Sequence, residues 1–318
     1  MTSGPAAVGF APYYYSGDER FGQVTVDGAG SVWLVGRGRV SSSAASGFDI
    51  GPGSLDVANG GLVISGEATI QPGGPVSVSA GGAEWLVQED LHVGGGYSYG
   101  GPVESKLAVL EGGHVAVEGD VHIESRYNSD AVVEFGLGAA GLGRLEIDGS
   151  VRIQTAGGNT ALGLLVDDNL NLQVGNLFEL ITAEGGVLGQ FSQEPPQMYA
   201  HGMLVDWTVH YDPNSISVEV ASATLAGDFN GDGDVDVKDF DVWKRYYGAR
   251  PIPSHARGDA NLDGLVDGSD FLIWQSQMGM SEPAGLSTAA TVPEPTTLLL
   301  ALIAAAPLAT LRTKHVTT

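Results

Sequence analysis

The chain has 318 residues, 43% of them hydrophobic, with 38 acidic side chains against 14 basic ones and a formal charge of −24. A surface this acidic repels phosphate backbones and excludes nucleic acid as a partner, while the hydrophobic fraction is ample for a large core. Without a single cysteine, disulfides, thiol catalysis and thiolate metal sites are excluded as well.

Residues 1–20 read as an irregular segment. Met1 to Tyr15 lacks the basic start and continuous apolar run of a signal peptide. From residue 21 the chain repeats itself. Val24, Val26, Gly30, Trp33, Leu34 and Val35 recur 52 residues on as Val76, Val78, Gly82, Trp85, Leu86 and Val87. At the same offset Leu55, Val57, Gly60, Gly61 and Val63 recur as Leu107, Val109, Gly112, Gly113 and Val115, and a partial third copy runs from Leu145 to Ile153. Apolar residues alternate, a Gly-Gly or Asn-Gly pair turns the chain, and alternation resumes. Strands of that kind bury one face and need neighbours stacked above and below. A right-handed parallel β-helix, a β-solenoid, over 21–160 meets that need, whereas a β-sandwich has no reason to keep a 52-residue period. Trp33 and Trp85 read as core or ladder residues in preference to carbohydrate platforms.

Over 161–222 the period fades although alternation continues, which suggests a cap of terminal strands. With Gly189-Gln-Phe191 and a strand pair turning around Asp212-Pro-Asn214, this part resembles the ends of autotransporter passenger-like solenoids of secreted bacterial proteins. An enzyme on such a scaffold would need converging carboxylates, or calcium beside a basic group. Asp167 and Asp168 are adjacent, so in a strand they would face opposite sides. His92, His114 and His122 read as separate surface histidines, and Arg37, Arg39, Lys106, Arg126, Arg144 and Arg152 as scattered cations. No Ser, His, Asp constellation is legible.

Residues 225–280 hold a second repeat, with an offset of 31. Asp228, Asn230, Asp232, Asp236 and Asp239 occupy positions 1, 3, 5, 9 and 12 of a twelve-residue loop; Asp259, Asn261, Asp263, Asp267 and Asp270 occupy them again. Gly233 and Gly264 stand at position 6. Oxygen side chains at this spacing suit a hard cation, with the backbone carbonyls of Asp234 and Leu265 as further ligands at position 7; two Ca²⁺ ions are expected. A helix follows each loop, striped by Phe240, Trp243 and Tyr247 in the first and by Phe271, Trp274 and Met278 in the second, with Gly248 and Gly279 beyond. No helix leads into Asp228, so half of each EF-hand is missing. Tandem loop-plus-helix units ending in Asp resemble a type I dockerin. That resemblance implies a cohesin partner, met through loop positions 10 and 11. There this chain has Val237 and Lys238, then Gly268 and Ser269, in place of a Ser/Thr pair, which leaves an intramolecular partner open.

After a small-residue linker at 281–291, Val292, Pro293, Glu294 and Pro295 precede an apolar stretch from Leu298 to Leu311, then Arg312 and Lys314. Residues 292–314 resemble a PEP-CTERM sorting signal, which implies a transient membrane helix and processing by an exosortase. The stretch is short of the roughly 20 residues of a permanent span. Combined, these features describe a mostly β protein: a β-solenoid, a small α-helical calcium module and a C-terminal hydrophobic helix. The expected role is non-enzymatic, secreted or at the cell surface, in adhesion, matrix or surface assembly. The alternative is a polysaccharide-degrading lyase or glycoside hydrolase attached through its dockerin.

Overall fold

The computed structural model describes residues 22–35, 48–50, 53–96, 103–139, 141–167, 169–248 and 254–282. The sorting motif, the apolar stretch and the basic end lie outside them, as do Met1 to Tyr15, Arg37, Arg39 and Asp168. Among the described residues no helix is long and apolar enough to cross a membrane.

Among the described residues six coils make the solenoid, each built on three main strands. The first is β1 (Gly22–Asp27), β2 (Val32–Leu34) and β3 (Phe48–Ile50); the second β4 (Gly53–Ala58), β5 (Leu62–Ser65) and β6 (Ala68–Ile70). The third is β7 (Pro75–Ser79), β8 (Glu84–Val87) and β9 (Leu91–Gly94); the fourth β10 (Val103–Val109), β11 (His114–Val117) and β12 (Val121–Arg126). In the fifth, β13 (Ser129–Gly138) is followed by the short β14 (Gly141–Leu142), β15 (Arg144–Ile147) and β16 (Ser150–Ala156). The sixth, β17 (Thr160–Val166), β18 (Leu177–Ala183) and β19 (Gly186–Leu188), lies in the span expected to be a cap.

Equivalent strands of successive coils pair in parallel, giving three ladders that begin with β1, β2 and β3. In the first ladder Val24, Leu55, Val76, Leu107, Val133 and Leu162 stand in register. The 52-residue repeat is therefore two coils: from Val24 to Leu55 is 31 residues, from Leu55 to Val76 only 21. The added residues fall between β2 and β3 in the first coil and between β9 and β10 in the third.

Alternation sends every second side chain inward. Val57, Val63, Trp85, Leu91, Leu107, Ile123, Phe135 and Leu145 are all fully buried in one core, each such aliphatic side chain contributing about 1.5–3 kcal/mol. Trp85 is a core residue, its indole N–H donating to Ser65 Oγ at 3.1 Å, and Trp33 packs against the same core. Close stacking explains one recurrent glycine: a Cβ on Gly113 would collide with the Val78 carbonyl of a neighbouring coil.

The stack ends in antiparallel strands. β18 pairs with β22 (Ser215–Leu225), β22 with β21 (Met203–Tyr211), and β21 with β20 (Met198–Ala200). The β21–β22 pair turns around Asp212-Pro-Asn214, extends the second ladder, and leaves no open parallel edge there. Its two faces serve different neighbours. Val205 packs in a small cluster with Phe178 against the solenoid, while Leu204 packs with Phe229 and Ala260 of the following module.

Candidate metal centre

β22 runs to Leu225 and the first loop begins at once, Ala226 N–H bonding the Gly202 carbonyl. Asp228 shapes the loop as a short acceptor for backbone donors ahead of it. One of its oxygens accepts from Gly231 N at 2.8 Å and Asp232 N at 3.2 Å, the other from Gly233 N at 2.8 Å. Gly233 (φ 87°) and Gly264 (φ 83°) take the left-handed conformation that costs glycine nothing. In the second loop Asp259 accepts from Gly264 N at 3.1 Å, and Asn261 from Asp263 N as Asn230 does from Asp232 N.

Position 9 of each loop is also a helix cap. Asp236 caps α1 (Val237–Tyr246) and Asp267 caps α2 (Gly268–Gln277), each within a capping box completed by Asp239 or Asp270. Gly248 and Gly279 follow with φ of 74° and 86°, where a C-terminal glycine belongs. Each helix ends one residue before Tyr247 or Met278. Both are exposed C-cap residues, although the Tyr247 ring still packs on Trp243 with centroids 4.9 Å apart. The packed set is Phe240, Trp243, Phe271 and Trp274, with ring centroids 5.1–6.0 Å apart. The two tryptophans cross: Trp243 donates to the Asp267 carbonyl at 2.9 Å, and Trp274 to the Asp236 carbonyl at 3.0 Å. Each helix thereby holds the other's N-terminus.

The electrostatics are those of a cation trap. Asp239 and Asp270 are fully buried, and Asp228 and Asp259 nearly so. Burial pushes the carboxyl groups of Asp239, Asp259 and Asp270 above the usual range, because a low-dielectric setting penalises the charged form. Asp259 Oδ1 is buried without a hydrogen-bond partner. An orphaned carboxylate oxygen among acidic neighbours fits a hard divalent cation. The exposed rims differ. Lys238 Nζ lies 2.6 Å from Asp232 and 3.4 Å from Asp236; its hydrogen bond holds Asp232 below the usual carboxylate range. At the equivalent place Ser269 donates to Asp267 at 2.7 Å, which lowers that carboxyl too.

A contact invisible in the sequence ties the module to the cap. Gln277, buried at the end of α2, donates to the Gly202 carbonyl and accepts from Gly227 N at 2.7 Å. His255 Nε2 lies 3.0 Å from the Ala226 carbonyl.

Within the solenoid, Asp167 accepts from Asn169 N at 2.6 Å in a local turn, and Lys106 pairs with Glu134 at 3.0 Å. The histidines are not separate. His92 and His122 stack at 4.7 Å, 7° from parallel, and His114 sits between Glu84 at 3.5 Å and Glu146 at 3.2 Å. The readable signal was Asp90-Leu91-His92-Val93 returning 30 residues later as Asp120-Val121-His122-Ile123.

Fold and site define a β-solenoid joined to a paired-loop module built for divalent cations. Residues 226–279 match the family model of the Dockerin type I domain. Domains of that type bind calcium and typically bind cohesins, and they point to an extracellular or cell-surface protein. The chain has no match among the curated proteins.

Proposed function

We propose that the chain is a secreted or surface-displayed, non-enzymatic β-solenoid whose dockerin module loads two Ca²⁺ ions and docks to a cohesin-like partner in adhesion, matrix or surface assembly. The first ion is held by Asp228, Asn230, Asp232, Asp236, Asp239 and the Asp234 carbonyl. The second is held by Asp259, Asn261, Asp263, Asp267, Asp270 and the Leu265 carbonyl. One observation carries the reading: four buried or nearly buried aspartates, Asp228, Asp239, Asp259 and Asp270, lie in two loops with no buried cation beside them among the described residues. Bound calcium supplies the missing positive charge, so folding of the module and ion uptake are coupled. On the same reading Val292 to Pro295, with Arg312 and Lys314, directs export and exosortase processing after transient membrane insertion of Leu298 to Leu311. Calorimetric titration of Ca²⁺ into the calcium-stripped full chain tests the core of this. Two equivalents and a raised melting temperature are expected; no uptake sinks the reading.

A further inference from the structure

The third ladder carries a feature the module does not account for. Thr69, His92, His122 and Arg152 stand in register on β6, β9, β12 and β16. The neighbours Leu91, Val93, Val121 and Ile123 are buried in the core, so the two imidazoles lie on the outer face, half-exposed and stacked. Asp90 sits at the corner before β9. One of its oxygens accepts from Asp120 N at 2.8 Å, which fixes the carboxylate beside the rings and leaves the other oxygen for a ligand. One ligand atom from each of Asp90, His92 and His122 lies within 4.8 Å of the other two.

We propose that Asp90, His92 and His122 form a binding site for a first-row transition-metal ion of the Zn²⁺ class. Donor chemistry separates this site from the dockerin loops: two imidazoles and a carboxylate suit borderline ions such as Zn²⁺ or Co²⁺, whereas calcium takes oxygen ligands. Donors sharing one tetrahedral ion stand about 3.3 Å apart. The rings must therefore tilt out of their parallel stack and draw their nitrogens together, which surface side chains on adjacent strands can do without moving the ladder. Glu67 Oε1, 3.6 Å from His92 Nε2, adds negative potential on the side of β6.

The test uses the full chain without a histidine tag, its dockerin loops saturated with excess Ca²⁺, titrated with Co²⁺ and followed by visible absorption. One equivalent is expected, displaced by Zn²⁺. His92→Ala and His122→Ala should each weaken binding at least tenfold, and Asp90→Asn, which keeps the acceptor for Asp120 N–H, about tenfold. His210→Ala, altering a histidine paired with Glu219 on the cap, should change nothing. Circular dichroism checks that each variant keeps its β-structure, and the wild-type stoichiometry is read without any variant. Absence of Co²⁺ uptake beside saturating Ca²⁺, or uptake that survives both histidine substitutions, overturns the proposal.

Discussion

The two loops of the module carry the same net charge by different means: five aspartates and one lysine in residues 228–239, four aspartates alone in 259–270. Loop 1 has a cation of its own, and Lys238 spends it on Asp232 and Asp236, two of the side chains proposed to hold calcium. Loop 2 places only the Ser269 hydroxyl there. Loading loop 1 means displacing an ammonium group; loading loop 2 means turning a hydroxyl. On the proposed ligand assignment equal charge therefore does not make equal sites, and loop 2, with its orphaned Asp259 oxygen, is expected to be the readier of the two.

The largest effect expected is from removing a position-12 carboxylate. Asp270→Asn should weaken calcium binding at loop 2 by about a hundredfold, a loss of about 2.7 kcal/mol, and Asp239→Asn should do the same at loop 1. Calorimetry on each variant would show one surviving site; two intact sites in either would break the comparison. The crossed tryptophans come next. Trp243→Phe strips a hydrogen bond from the Asp267 carbonyl, so it should loosen loop 2 although it lies on α1. A cost of about 1 kcal/mol to the module's unfolding is expected, with Trp274→Phe loosening loop 1 in return. A purely local effect would show the helices to be independent.

The pH dependence follows from the raised carboxyl groups of Asp239, Asp259 and Asp270. A raised pKa contributes stability that is complete below the unfolded value and is lost as the pH rises through the folded one. These three groups therefore weaken the calcium-free module as the pH rises towards neutrality, where calcium offsets their repulsion, while the lowered Asp232 and Asp267 act in the opposite sense. The melting increment caused by calcium should shrink as the pH falls from about 7 into the carboxylate range near 4. An increment that grows on acidification would contradict this. The smallest effect belongs to the rim. Lys238→Ser should tighten loop 1 by about threefold, as expected for an exposed ion pair, and Ser269→Lys should weaken loop 2 by a similar factor. Opposite signs would show that the lysine assists the ion.

Ligand spacing made the loops legible, because a twelve-residue cation loop is a local object: position, turn glycine and cap are all set within a dozen residues. The solenoid was legible as a period and not as a coil. Long and short coils alternate, so Val24 matches Val76 more plainly than it matches Leu55, its actual neighbour. The same alternation hid His92 and His122, which are 30 residues apart and off the 52-residue period. Spacing alone carries each stripe one residue past its helix, to Tyr247 and Met278, because periodicity does not mark where a helix stops. Gln277 against Gly202 spans 75 residues, and nothing local marks it. Contacts of that kind arise only once β21 and β22 have paired.

That pairing gives the molecule a mechanical character. β22 is bonded to β18 on one side and β21 on the other, and it passes into the first loop within three residues, Ala226 being held to Gly202. A pull on the module is thus delivered along the axis of a strand that β21 borders as far as Leu225 and that β18 clamps on its other edge over Ser215–Glu219. It must shear many hydrogen bonds together; it cannot peel them off singly. Gln277 and Leu204 add two more points at which the module is fastened to the cap, so a load on the module enters the cap strands before it reaches the coils.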